Sequence, residues 1–510
     1  MSKGTVYLIG AGPGDPGLIT VKGRQHIREA DVIVYDYLAN PRLLGEAGPF
    51  AEKIYVGKRA RDHTAEQDEI NKLLVEKARQ GKVVARLKGG DAFIFGRGGE
   101  EALYLAANGI PFEVVPGVSS AYAVPAYAGI PVTHRGLASD VAFITGHEQR
   151  AGGPGIAWEM LAKSMGTLVF LMGVKNLPDI VGQLTANGRP GATPVAVIRW
   201  GTLAGQETLT GTLDDIVAKV DIGDFRPPAV IVVGEVVRLR EQLAWFEKKP
   251  LFGRRVLVTR AADQAGALAA GLESAGAEVV EFPTIDILPV DDSSLVDQAV
   301  AEMAGGQQFD WLIFTSANTV DFFFKRVAAA GRDARLLSGA KIAVVGSATA
   351  ARLKSAGLTA DLIPSDFRAE GLIEEFKRLS LDGTRILMPR AREAREILPE
   401  ALRNMGAEVT VAPVYKNVPA NPPVEEIKEA LISGRIDFIT FTSGSTVKNF
   451  AALIGPDGTL PETVGKAKVA AIGPVTAKAV EKAGLAVDLM PKDSTIPALI
   501  DEIVASGSEL

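Results

Sequence analysis

Arg86–Glu101 reads RLKGGDAFIFGRGGEE. The apolar run Val83–Leu87 predicts a strand that ends in the turn Gly89-Gly90-Asp91. A second glycine cluster, Gly96, Gly98 and Gly99 around Arg97, follows at once. Glycine is entropically costly to order, so a plain connection has little reason to hold five of them in eleven residues. Open α/β sheets bind ligands at the carboxyl ends of their strands, which is where this turn falls. Asp91 there is placed to accept hydrogen bonds from a ribose or an amine. Upstream, Val6–Gly14 (VYLIGAGPG) repeats the pattern of strand then glycine turn. Its spacing is G-x-G-x-G, neither the dinucleotide fingerprint nor a phosphate-binding loop. Downstream come two Gly/Pro-rich turns, Val114–Ala121 (VVPGVSSA) and Gly129–Arg135 (GIPVTHR). The strand Pro227–Val237 (PPAVIVVGEVV) follows them.

Apolar runs alternate with amphipathic stretches almost throughout. Val32–Tyr35, Leu168–Met172, Val256–Thr259, Trp311–Thr315, Ile342–Val345 and Phe438–Thr442 are further examples. Runs apolar along their whole length predict strands buried on both faces, and the alternation predicts α/β layers. The charged stretch Arg238–Pro250 marks a boundary, giving domains 1–245 and 253–510 with a linker at 246–252.

The second half repeats itself. Gly253–Pro289 matches Gly383–Pro419 at an offset of 130 residues. Phe314–Val320 (FTSANTV) matches Phe441–Val447 (FTSGSTV), and Lys341–Ala350 matches Lys468–Ala477, at an offset of 127. Two similar α/β lobes follow, with crossing segments Phe282–Val290 and Ala412–Pro422 as a pair of linkers between them. A cleft between two such lobes is a natural ligand site.

Composition narrows the function. The chain has 510 residues, 47% of them hydrophobic, a formal net charge of −6, no cysteine and four histidines. Disulfides, thiolate metal sites and cysteine nucleophiles are thereby excluded. No two histidines are spaced as a metal-binding pair, so we expect no metal. The acidic balance argues against a nucleic-acid partner. No apolar run reaches the ~18 residues of a membrane span. MSKGTVYLIG enters a strand without the apolar stretch of a signal peptide, so a cytoplasmic enzyme is expected.

The pieces VYLIGAGPGDPGLIT, ADVIVYDYL, VGKRA, RLKGGDAFIFGRGGEE, VVPGVSSA, GIPVTHRG and PPAVIVVGEVV resemble the tetrapyrrole methylase family over nearly all of 4–245. Within it they resemble the uroporphyrinogen-III C-methyltransferases. The resemblance implies a two-lobed α/β fold, dimerisation through this half, and S-adenosylmethionine as cofactor. The reaction implied is double methylation of uroporphyrinogen III to precorrin-2, on the route to sirohaem and cobalamin. It places the cofactor against Pro13, Gly89, Gly90, Asp91, Ile94, Ser119, Ser120, Met172, Gly201 and Ala229. The family's proton acceptor falls on Asp36 and its proton donor on Lys58, with Arg97 and Arg135 as carboxylate-binding candidates. Two positions depart from the pattern: Ala92 stands where GGDP has proline, and Tyr37 where YDRL has arginine.

The pieces VLVTR, FPTI, FTSANTV, VGSATA, ILMPR, APVY, FTSGSTV and AAIGPVTA are similar to the uroporphyrinogen-III synthase family over roughly 253–505. That family cyclises hydroxymethylbilane with loss of water. Its fold would interleave lobes of about 253–285 plus 417–510, and of 290–412. Tyr415 matches its active-site tyrosine. Hydroxyls and arginines near helix starts and strand ends form an anion-binding surface, so Ser316, Ser443, Thr476 and Arg260 are expected to bind substrate carboxylates, with Arg390, Arg392 and Arg395 nearby. Two alternatives stay open: the methylase half acts on another substrate, or 251–510 is a binding module without activity.

Overall fold

The computed structural model describes residues 4–48, 50–57, 67–146, 155–260, 262–420, 422–456 and 458–508. They fall into two compact units. One holds Met1–Val256 with Ala270–Val279 and Ile503–Leu510; the other holds Leu257–Ala269 with Val280–Glu502.

The first unit contains two five-stranded sheets. Strands β1 (Val6–Gly10), β2 (Val32–Tyr35), β3 (Glu52–Tyr55), β4 (Val84–Lys88) and β5 (Phe112–Val115) form one, in the order β3-β2-β4-β1-β5. Every pairing in it is parallel, as alternation of apolar strands with helices requires. Strands β6 (Val141–Thr145), β7 (Thr167–Leu171), β8 (Pro194–Arg199), β9 (Glu207–Thr212) and β10 (Ala229–Val233) form a mixed sheet, β6-β7-β10-β8-β9. There β10 runs antiparallel to both neighbours. Ile231 and Val232 are fully buried in it, so β10 is covered on both faces.

The segment 246–252, expected as a linker, is a packed part of the first unit. Phe246 and Leu251 are buried. Phe246 lies edge-on to Tyr127 at 4.8 Å and to Phe252 at 5.4 Å between ring centroids. Glu247 accepts hydrogen bonds from Gln206 and Thr208, each at 2.7 Å, and pairs with Arg240. The Glu-Lys-Lys run gives the stretch a solvated look, while the two phenylalanines flanking it do the packing.

The C-terminal half also holds two sheets. In chain order its strands are β11 (Arg255–Val258), β12 (Glu278–Glu281), β13 (Ile285–Pro289), β14 (Trp311–Phe314), β15 (Lys341–Val344), β16 (Arg385–Ala391), β17 (Glu408–Pro419), β18 (Phe438–Phe441) and β19 (Lys468–Ala471). The sheet orders are β12-β11-β18-β19 and β13-β17-β16-β14-β15. The repeat is visible in the backbone. The isolated bridge Ala343–Leu362 has a counterpart in Ala470–Leu489. Asp361 accepts from Ile342 N at 2.8 Å, and Asp488 accepts from Val469 N at 2.7 Å.

The two crossing segments, read as a pair of linkers joined as a two-stranded connector, lie side by side as strands. β13 pairs antiparallel with the far half of β17, Ile285 opposite Pro419 and Pro289 opposite Tyr415. Both therefore belong to the second lobe's sheet, which runs from Ile285 to Pro419 and is wider than the expected 290–412. The unsatisfied edge of β17 explains this, since an extended strand left beside it would expose a row of unpaired backbone groups.

Candidate functional site

The carboxyl ends of β1, β2 and β4 carry the turns that form one wall of a cavity of about 530 Å³ in the first unit. The opposite wall comes from the other sheet, through Met172, Trp200, Gly201 and the segment Pro227–Val230. The two glycine turns bind each other: Gly90 N donates to Gly12 O at 2.7 Å, and Gly12 N to Gly90 O at 3.2 Å. Gly90 has φ +68°, a conformation open to glycine at little cost. A Cβ on Gly10 would lie 2.5 Å from Gly117 Cα, so the backbone crossing behind the turn also requires glycine. On the far wall Met172 (φ +57°) and Trp200 (φ +50°) hold left-handed conformations without being glycine. Strain of this kind persists where the surroundings impose it, and it clusters at binding sites.

Asp36, at the end of β2, is the only ionic side chain among the described residues lining the cavity. Its Oδ1 accepts from Leu38 N at 3.2 Å, and its Oδ2 lies 3.3 Å from Arg86 Nη2. Tyr35, Tyr37, Tyr55 and Trp200 add aromatic surface. Tyr37 and Trp200 approach edge-on across the two walls, 6.3 Å between centroids. The arrangement suits a cationic or neutral group with a flat aromatic part. One carboxylate in a mainly apolar hole disfavours a polyanion inside it.

In the C-terminal half, Tyr415 is 7% exposed, and its ring lies 5.6 Å from that of Phe322. Its hydroxyl lies 3.2 Å from Ser316 Oγ. Ser316 caps the helix Ala317–Ala329 by accepting from Thr319 N. Ser443 caps Gly444–Ile454 in the same way through Thr446 N. Thr476 is buried in the first turn of the helix Pro474–Lys482. Arg260 lies two residues past the end of β11.

Comparison with known proteins agrees with this division. Residues 5–217 match the family model for tetrapyrrole (corrin/porphyrin) methylases, and 266–501 match that for uroporphyrinogen-III synthase HemD. A porphyrin biosynthesis protein HemD of Ruminiclostridium josui is 38% identical over 507 residues, covering 99% of both chains. The chain belongs to this family of fused tetrapyrrole methylases and uroporphyrinogen-III synthases. A uroporphyrinogen-III C-methyltransferase of Bacillus subtilis is 44% identical over 369 residues, covering 72% of this chain and 74% of that one. The methylase half is also similar to a crystal structure of uroporphyrin-III C-methyltransferase from Thermus thermophilus complexed with S-adenosylhomocysteine. The two share 42% identity over 46% of this chain and all of that one, with a TM-score of 0.40.

Of the residues expected at the methylase site, Pro13, Asp36, Gly89, Gly90, Ser120, Met172, Gly201 and Ala229 line the cavity. Lys58 lies outside the described residues. Asp91 stands behind the wall and orders the turn, accepting from Phe93 N and Gly117 N at 2.8 Å each. Ser119 is buried and caps the helix Ser120–Tyr127. Ile94 is half-buried next to the cavity-lining turn and is not itself part of the wall. Arg97 is not turned into the cavity; it is exposed and paired with Glu100 at 2.6 Å. Arg135 is exposed on a turn away from the lining.

The synthase half corrects another expectation. Arg390 is 2% exposed and gives its guanidinium to the carbonyls of Ala394 and Arg395 and to Glu396. It orders its own loop and presents nothing to a substrate. Arg395 pairs with Glu370 at 3.5 Å, and Arg392 with Glu393.

The wall residues Trp200, Tyr55 and Asn40 were not among the expected residues, nor was a buried ionic network behind Asp36. Arg86, Lys88 and Glu101 are 3%, 4% and 0% exposed. Burial pushes the Lys88 ammonium below its usual value, and Arg86 beside it adds to that; Glu101 opposes both. A signal was present: two cations, Arg86 and Lys88, sit in a strand that is otherwise apolar and buried.

The cofactor implied for the methylase half fits this cavity. S-adenosylmethionine pairs a cationic sulfonium with a flat adenine, and the wall offers one carboxylate, a thioether and four aromatic rings. Pro13, Gly89, Gly90, Ser120, Met172, Gly201 and Ala229 are the residues that would hold it.

Proposed function

We propose that this chain cyclises hydroxymethylbilane to uroporphyrinogen III in residues 253–510. Residues 1–245 then methylate that product twice to give precorrin-2. The observation that carries the reading is the cavity with Asp36 as the one ionic group among its described residues, in a chain whose family joins the two consecutive activities. S-adenosylmethionine, when bound, supplies an electrophilic methyl group on its sulfonium. The turns Gly12–Gly14 and Gly89–Gly90 hold it by backbone contact and align it, which is the main requirement of a displacement. Asp36 accepts the proton that the pyrrole ring loses once it has gained a methyl group. The macrocycle presents one pyrrole ring to Asp36 at the cavity mouth and keeps its eight carboxylates outside the mainly apolar hole. Lys58 is assigned as proton donor from the VGKRA motif.

In the synthase half, Tyr415 hydrogen-bonds the departing hydroxyl of hydroxymethylbilane, which leaves as water when the ring closes. Ser316, Ser443, Thr476 and Arg260 bind acetate and propionate groups. The substrate is flexible, so most of the catalysis is positioning. The exposed apolar residues Phe93, Phe95 and Leu137 support a homodimer through the methylase half. None of the described helices is long and apolar enough to cross a membrane, which accords with action in the cytoplasm.

The test is hydroxymethylbilane given to the purified chain with and without S-adenosylmethionine, and products identified by mass and isomer. The type III isomer without cofactor and a dimethylated product with it are expected. Only the type I isomer would end the synthase reading, and type III without added methyl groups would end the methylase reading.

A further inference from the structure

β4 is buried on both faces, yet its sequence Val-Ala-Arg-Leu-Lys sets two cations into it. Buried charges are costly unless paired, and these two converge on one carboxylate. Oε1 of Glu101, on the helix Gly98–Ala107, accepts from Lys88 Nζ at 2.8 Å, Gln67 Nε2 at 3.2 Å and Arg86 Nε at 3.3 Å. Arg86 Nη1 donates to Leu87 O at 2.8 Å. The guanidinium is thus pinned at Nε and Nη1, and its planar fork leaves Nη2 directed at Asp36 Oδ2, 3.3 Å away. A network serving stability alone has no need to end at a cavity wall. This one ends at the single ionic side chain among the described residues of the cavity.

We propose that Glu101 is a positioning residue for methylation: it clamps the Arg86 guanidinium so that one N–H holds the Asp36 carboxylate toward the cavity. This rests on the reading of Asp36 as proton acceptor. The charged groups facing Asp36 are Arg86 and Lys88 from β4, with Glu101 behind them on its helix. Tyr35, Tyr37 and Tyr55 share its wall, and residues 58–66 lie outside the described chain. Without the Glu101 carboxylate, the Arg86 guanidinium loses its hold at Nε and the contact with Asp36 loses its fixed direction.

The test uses the full chain with Glu101→Gln, which keeps the shape and removes the charge. The kcat for methylation is expected to fall about tenfold or more. The Kd for S-adenosylmethionine, by calorimetry, and the KM for uroporphyrinogen III should stay within about twofold, because neither is bound through Glu101. Arg86→Lys keeps the charge and removes the fork, so it should lower kcat with the same unchanged KM. A wild-type kcat in Glu101→Gln overturns the proposal. So does loss of kcat together with loss of cofactor binding, which a purely structural role would produce. Asp36→Asn separates the two readings. If it methylates at the wild-type rate, the acceptor reading fails. If it is inactive while Glu101→Gln is normal, only the positioning role fails.

Discussion

Tyr127 donates its hydroxyl proton to Asp15 Oδ2 at 2.8 Å and so ties the helix Ser120–Tyr127 to the glycine turn after β1. Asp15 is held on two further sides: its N–H donates to Thr202 Oγ1 at 3.0 Å, and its Oδ1 accepts from Gly17 N at 2.7 Å. Asn40 Nδ2 donates to Gly14 O at 2.7 Å. The turn that carries Pro13 is therefore fastened to both walls of the cavity.

Tyr127→Phe removes one of these ties, a hydrogen bond to a charged group worth about 1.5–3 kcal/mol. Cofactor affinity should drop about tenfold and Tm should fall by several degrees; calorimetric titration with S-adenosylmethionine and a thermal scan would measure the two. The same contact makes an alkaline prediction. Burial, and then the Asp15 carboxylate, push the Tyr127 hydroxyl far above its ordinary value. A folded value above the unfolded one means that the contribution is complete below about pH 10 and is lost as pH rises beyond it. The fall of Tm above about pH 10 should be shallower in Tyr127→Phe than in the parent chain.

Burial pushes the Glu247 carboxyl up, but Arg240, Thr208 and Gln206 together outweigh it and leave the group below the usual carboxylate range. Its contribution is present above the unfolded value of about 4.3 and is lost as pH falls below that. Glu247→Ala should destabilise the methylase half by about 2 kcal/mol, since it strands the Arg240 guanidinium. The lower Tm should persist from neutral pH down to about pH 5 and fade in acid. Scanning calorimetry of the whole chain would show it in one transition only.

Asp36→Asn should lower methylation by about 10²–10⁴-fold and weaken cofactor binding far less, because the glycine turns hold the cofactor by backbone even when the carboxylate facing the sulfonium is gone. Product mass analysis under single-turnover conditions, beside calorimetric binding, separates the two effects.

Tyr415→Phe keeps the ring against Phe322 and removes only the hydroxyl shared with Ser316. Formation of the type III isomer should slow at least about tenfold, with non-enzymatic type I product taking its place. An unchanged III-to-I ratio would show that the hydroxyl takes no part in ring closure.

Much of the architecture was legible along the chain. Apolar runs such as Val84–Leu87 can only be strands covered on both faces, and glycine turns after them mark strand ends. The 127-residue repeat carried over to matching strands, caps and bridges, because each copy folds by local rules. Phe282–Val290 and Ala412–Pro422, read as a paired connector, do pair as two antiparallel strands, with β13 at the sheet's edge, where proline is tolerated. Two features misled. The charges of Glu247-Lys248-Lys249 hid the packing of Phe246. Arg97, within a glycine cluster, looked poised for a substrate, and the helix that follows supplies Glu100 as its partner.

The sequence by itself determined the α/β layering, the division into halves, the duplication and the glycine turns. Each depends on backbone preferences read over a few neighbouring residues. Only the tertiary structure decided that Trp200 and Tyr55 belong to the cavity wall and that Asp91 stands behind it. It alone showed that Arg86, held by Glu101, reaches Asp36, and that Arg390 is used up by its own loop. Those outcomes depend on where side chains distant in sequence meet and on which charges lose their water. No local pattern encodes either until the sheets have been assembled.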